Sequence, residues 1–175
     1  MKTIRHILLF ILCLPFNLLV GWPVVLGIWA LWGHNLRWEI APKSGGLSAL
    51  TCELKPGSWP DRSWYQHWAA TTLGHAIFYG ARIRADGEWV GVQAHEHIHV
   101  EQYEGTMSSH AVLGLLLFAS VVALSPAAAA IVGLMVWFLG YLTFLVGGWL
   151  GAILRGEPAY SGSAHEKAAR AESGA

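Results

Sequence analysis

The sequence predicts a mainly α, integral membrane helical protein of about three spans, with a small polar α+β segment set between the spans. Three observations predict it. Of the 175 residues 54% are hydrophobic and only 13% charged, about half the charged share usual in soluble proteins. Two apolar stretches, 7–32 and 111–154, exceed the ~20 residues a helix needs to cross a bilayer. The stretch between them is polar, rich in turn residues, and ends in a histidine-rich segment with helical spacing. The chain is short enough to be read as one membrane domain, 1–175.

The elements follow in order. Lys2 and Arg5 precede the apolar run 7–32, which is too long for a signal-peptide core and lacks a clear small-x-small cleavage site. Pro15, Asn17, Gly21 and Pro23 interrupt it, so one kinked span and a re-entrant pair of half-helices both fit. Residues 33–107 form the polar region. Pro42 to Gly46 and Lys55 to Pro60 read as loops, and Asp61 to Ala70 as a short helix. Thr71 to Gly80 reads as one strand, with a turn at Ala85-Asp86-Gly87. A helix from about Glu88 to Glu104 follows, broken at Gly105. Ser108 and Ser109 cap the next helix, and Ser125-Pro126 starts another. Residues 108–154 thus form a hairpin of two spans, about 108–124 and 127–151, and 155–175 a polar tail.

The histidine-rich segment carries the chemistry. In His95-Glu96-His97-Ile98-His99 two imidazoles stand four residues apart, one helical turn, so one metal can bind both. Glu96 lies about 100° around the helix, beside the metal without ligating it, where a carboxylate can take a proton from bound water. This HExxH pattern marks zinc hydrolases of peptide bonds. Zn2+ is the expected cofactor. His97 lies off the stripe and reads as a surface or supporting residue.

A catalytic zinc takes three protein ligands and keeps one position for water. The tail offers two glutamates. Glu166 opens a helix-like run, Glu166 to Ala171, and is favoured; Glu157, before Pro158, is second. Ser163-Ala164-His165-Glu166 is also a capping box, which explains Glu166 without any metal. Two spans between His99 and Glu166 would bring the chain back to the side it left, and they favour the ligand reading. The same count leaves Tyr160 nearby, a possible oxyanion donor or an interfacial tyrosine. His75, ahead of the motif helix, reads as a packing residue or a supporting group at the metal.

The string His95 to Tyr103, preceded by Leu73-Gly74-His75 and followed by a glutamate beyond an apolar hairpin, resembles a group of small bacterial membrane proteins related to gluzincin-type zinc peptidases. The resemblance covers roughly residues 50–170. It implies His95, His99 and Glu166 as ligands and Glu96 as the base. This chain departs from larger gluzincins in having Ser-Ala-His before its glutamate and in lacking their Glu-x-x-x-Asp helix.

The expected function is a membrane-embedded zinc-dependent metallopeptidase, acting on a peptide or protein substrate through zinc-activated water. The alternative is a metal-binding membrane protein without hydrolysis, structural or regulatory. The resemblance places it in a bacterial inner or plasma membrane, in contact with the lipid bilayer. Lys2 and Arg5 balance Arg37 and Lys43, so charge leaves the side of the site open. Eleven basic and eleven acidic residues cancel, and no basic face points to nucleic acid. No Cys-x-x-Cys occurs, and a disulfide between Cys13 and Cys52 is not expected. Residues 111–154 contain no histidine for haem and no Asp, Glu, Lys or Arg for an ion path.

Overall fold

The computed structural model describes residues 2–40, 47–63, 69–84, 89–158 and 160–173. The expected loop at Pro42–Gly46, the turn at Ala85–Gly87 and the aromatic part of the 61–70 helix lie outside these residues. The fold is mostly helical with a small mixed sheet. Two compact units divide it, residues 1–101 with 169–175, and residues 102–168.

The first unit opens with one helical run. Helix α1 (Lys2–Phe16) passes through a π-helical segment (Asn17–Gly21) into α2 (Trp22–Trp32). Phe16, Gly21 and Trp22 all keep right-handed helical angles, and the Trp22 amide donates to the Asn17 carbonyl. The two prolines therefore widen the helix locally without ending it. The helix is continuous over Ile7–Trp32, a run long and apolar enough to cross a membrane.

Four strands follow: β1 (Gly33–Ile40), β2 (Leu47–Leu54), β3 (Ala70–Thr72) and β4 (Ala76–Tyr79), in the order β1-β2-β4-β3. β2 and β4 run parallel; the other pairs are antiparallel. A short helix α3 (Trp59–Ser63) precedes β3, and a 3-10 turn (Ala81–Arg84) follows β4. Residues of alternating parity point to opposite faces of a strand. Leu50, Cys52, Leu54, Ala76 and Phe78 pack with Val25, Trp22 and Ile28 of α2. Ala49, Ile77 and Tyr79 pack on the opposite face, with Val100, Trp89 and Val92 of the long helix that follows the sheet. Both Cys13 and Cys52 are free and buried, and burial beside Glu53 pushes the Cys52 thiol up to about 12.

The expected strand 71–80 is two strands. Leu73 and Ala76 close a two-residue turn with hydrogen bonds of 2.8 and 3.2 Å, and Gly74 takes φ +63° at its first position. Such hairpin turns require positive φ there, which glycine supplies without strain. His75 therefore sits in the turn, not on a strand.

Helix α4 (Trp89–Val121) runs unbroken through Gly105. Ser108 and Ser109 do not cap a new helix; both hydroxyls donate back to the Gly105 carbonyl. One glycine costs a helix only about 1 kcal/mol, too little to end one held by packing. The expected span 108–124 is thus mostly the end of a half-polar helix. Among the described residues two helical stretches, Ile7–Trp32 and Pro126–Phe144, are long and apolar enough to cross a membrane. Two of the about three expected spans thus have a counterpart among the described residues.

The second unit pairs the end of α4 with α5 (Pro126–Leu154). Ser125 caps α5 by accepting from the Ala128 amide, with proline in the first turn. Gly114 and Gly133 let the two helices touch at backbone distance: a Cβ on Gly114 would lie 2.7 Å from the Gly133 carbonyl oxygen. Tyr103 is fully buried against Tyr141 and Phe144. Helix α6 (Ala164–Ser173) closes the described chain.

A candidate metal centre on the long helix

Helical rotation sorts the side chains of α4 into separate faces. Trp89, Val92 and Val100 pack on the sheet. Gln93 and His97, four apart, reach Glu39 of β1: Gln93 Nε2 donates to Oε2 over 3.2 Å, and His97 Nε2 lies 3.5 Å from the same oxygen. Arg37 binds Oε1 at 2.6 Å, and the Tyr79 hydroxyl donates to Oε2 at 2.8 Å. Burial opposes ionisation of Glu39, but these partners outweigh it and lower its pKa to about 2. His97 is thus a buried residue, 3% exposed, and not the surface histidine its position off the stripe suggested. Glu104, also set apart by rotation, is buried as well.

His95 and His99 turn the other way. Their Nε2 atoms lie 3.1 Å apart, and the rings meet edge to face, 4.7 Å between centroids. A ligand atom from each of His95, His99 and Glu166 lies within 4.8 Å of the others. Among the described residues no other three His, Cys, Asp or Glu side chains converge this way. His99 and Glu166 are buried, at 9% and 5% exposure. Two imidazole nitrogens and one carboxylate oxygen are a donor set that suits Zn2+ and leaves a fourth position open.

The tail is arranged within its own unit. Gln102, one turn beyond His99 on the same helix, donates to the His165 carbonyl at 3.1 Å. The His165 ring packs on Phe144 and fills the space over Gly148, where a Cβ would come within 2.8 Å of it. Ser163 caps α6 by accepting from the Glu166 amide at 3.2 Å. Only the serine half of the expected capping box is formed, since the Ser163 amide donates to the Tyr160 carbonyl at 3.0 Å, and the Glu166 carboxylate belongs to the three-residue group.

The remaining sequence candidates lie elsewhere. Glu157 is not in the cluster; it pairs with Lys167 at 2.7 Å and Arg155 at 3.1 Å. Those two cations hold its carboxyl below the usual range. Tyr160 is 45% exposed in the turn before α6. His75 is fully buried, its Nδ1 2.8 Å from the Asn17 amide nitrogen.

Glu96 faces the sheet, 4% exposed. The Thr72 hydroxyl at the end of β3 donates to its Oε2 over 2.5 Å. Sequence reasoning missed Thr72 and Glu39, because partners 24 and 54 residues from their α4 contacts leave no periodic signal. Asn17 was visible only as a polar break in an apolar run. Comparison of the chain with family models, curated proteins and solved structures found no match.

Proposed function

We propose that the chain is a membrane-embedded, zinc-dependent hydrolase of peptide bonds, with His95, His99 and Glu166 as metal ligands and Glu96 as general base. The convergence of one ligand atom from each of the three residues within 4.8 Å carries the reading. Zinc held there would supply a Lewis acid and bring the pKa of a bound water to about 7. His95 and His99, whose Nε2 atoms lie 3.1 Å apart, would hold the ion together with Glu166, which would add the negative charge. Glu96 removes a proton from the attacking water and delivers it to the amine nitrogen as the carbon–nitrogen bond breaks. Thr72 holds one oxygen of that carboxylate and fixes its rotamer. The two apolar helices support membrane residence; a bacterial inner or plasma membrane follows from the family resemblance alone.

A second reading, a metal-binding membrane protein without hydrolysis, draws support from the burial of Glu96 and its hydrogen bond to Thr72. Turnover separates the two. Purified protein in lipid nanodiscs, loaded with zinc and given a mixed library of unstructured peptides, is expected to cleave. Cleavage is expected to vanish with a chelator and with Glu96→Gln while that variant keeps its zinc. Bound zinc with no cleavage of any peptide would favour the second reading.

A further inference from the structure

The apolar run Ile7–Trp32 holds one buried amide, Asn17, at the first position of its π-helical segment. A polar side chain in such a stretch needs a partner. Asn17 has two on one residue. The His75 backbone amide donates to Oδ1 at 3.0 Å, and Nδ2 lies 2.8 Å from His75 Nδ1. A backbone N–H can only donate, so the atom it meets is the carbonyl oxygen, and the other atom is the NH2 group. The NH2 group can only donate, so Nδ1 accepts and the ring proton sits on Nε2.

The surroundings are shaped for this contact. Gly21, on the same π segment, faces the Leu73 carbonyl, which a Cβ would approach to 3.0 Å. Gly74 faces Asn17 Oδ1, and a Cβ there would come to 2.7 Å. The Phe10 ring meets the His75 ring edge-on, 5.1 Å between centroids. The turn Leu73–Ala76 is therefore seated on the helix by two hydrogen bonds and two glycines. It is also the turn that ends β3, one residue after Thr72, whose hydroxyl holds Glu96.

We propose that Asn17 and His75 are positioning residues: they form a clasp through which the N-terminal helix fixes Thr72 and so orients the Glu96 carboxylate. The clasp gives His75 a task that neither ligation nor packing alone describes. Its consequence rests on the role of Glu96 proposed above, but its test needs no metal, so failure of zinc binding and failure of the clasp are read separately.

In full-length protein carrying Cys13→Ala and Cys52→Ala, the pair Thr72→Cys and Glu96→Cys reports the approach of β3 to α4 through the rate of oxidative cross-linking. Asn17→Leu is expected to slow that rate about tenfold, the loss of one to two hydrogen bonds. Asn17→Asp keeps an acceptor for the His75 amide and accepts from a ring proton at Nδ1. It is expected to cross-link at the rate seen with Asn17, with the proton moved to Nδ1 in imidazole nitrogen NMR. Apolar packing alone would give the reverse order, leucine tolerated and aspartate not. That order, or equal rates in all three proteins, would overturn the clasp. If Asn17→Leu does not fold, the wild-type spectrum decides: a His75 proton on Nε2 is expected, and one on Nδ1 overturns the assignment.

Discussion

The Thr72 hydroxyl donates to Oε2 of Glu96 across 2.5 Å, joining an edge strand to the acidic residue of the HExxH helix. A carboxylate with one oxygen held keeps a single rotamer, which is what a base acting on a fixed water needs. Thr72→Val is therefore expected to lower peptide cleavage about tenfold, the worth of one hydrogen bond to a charged group. Zinc content should stay at one per chain, and Thr72→Ser should restore the rate. A rate unchanged in Thr72→Val would show that Glu96 is oriented by other means.

Glu39 gives a pH signature that does not depend on metal. Its pKa falls from 4.5 to about 2 on folding. A depressed carboxyl contributes stability that is complete above pH 4.5 and fades as pH drops toward 2. The contribution is on the order of 3 kcal/mol. In metal-free protein, denaturation midpoints of wild type and Glu39→Gln are expected to differ most above pH 4.5 and to converge toward pH 2. Parallel curves across that window would mean the carboxyl is not stabilised by Arg37, His97, Tyr79 and Gln93.

Gly148 tests how α6 is seated. A Cβ there would lie 2.8 Å from the His165 ring, and His165 precedes Glu166. Gly148→Ala is expected to displace that ring and weaken zinc binding by tenfold or more, with helical content preserved. Gly147→Ala, whose Cβ would meet only the Thr143 methyl at 3.7 Å, is expected to bind as wild type. Equal affinities in the two variants would separate His165 packing from the site.

Local signals made much of this molecule legible. The four-residue spacing of His95 and His99 put both on one face of α4, and Ser125-Pro126 marked the start of α5. Two apolar stretches stood out by composition, while the boundary at Gly105 did not hold because helix packing overrides one weak residue. Long-range pairs were invisible: Asn17 with His75, Thr72 with Glu96, Glu39 with His97. Each joins residues brought together by the sheet and its crossover, which no periodicity encodes. The expectation for Glu166 leaned on a count of two spans in residues 108–154, whereas the proposal made here for it leans on the grouping of its carboxylate with His95 and His99. Glu157 is engaged instead by Lys167 and Arg155.

The central claim is that His95, His99 and Glu166 hold one zinc ion. Metal analysis of purified full-length protein tests it directly, with His95→Ala, Glu166→Ala and Glu157→Ala compared with the wild type. One zinc per chain is expected in wild type and in Glu157→Ala. Near-complete loss is expected in His95→Ala, and an affinity about a hundredfold or more weaker in Glu166→Ala, the scale at which even an outer-shell partner of a ligand can matter. A wild-type protein without zinc, or a Glu166→Ala protein that binds it undiminished, would contradict the account.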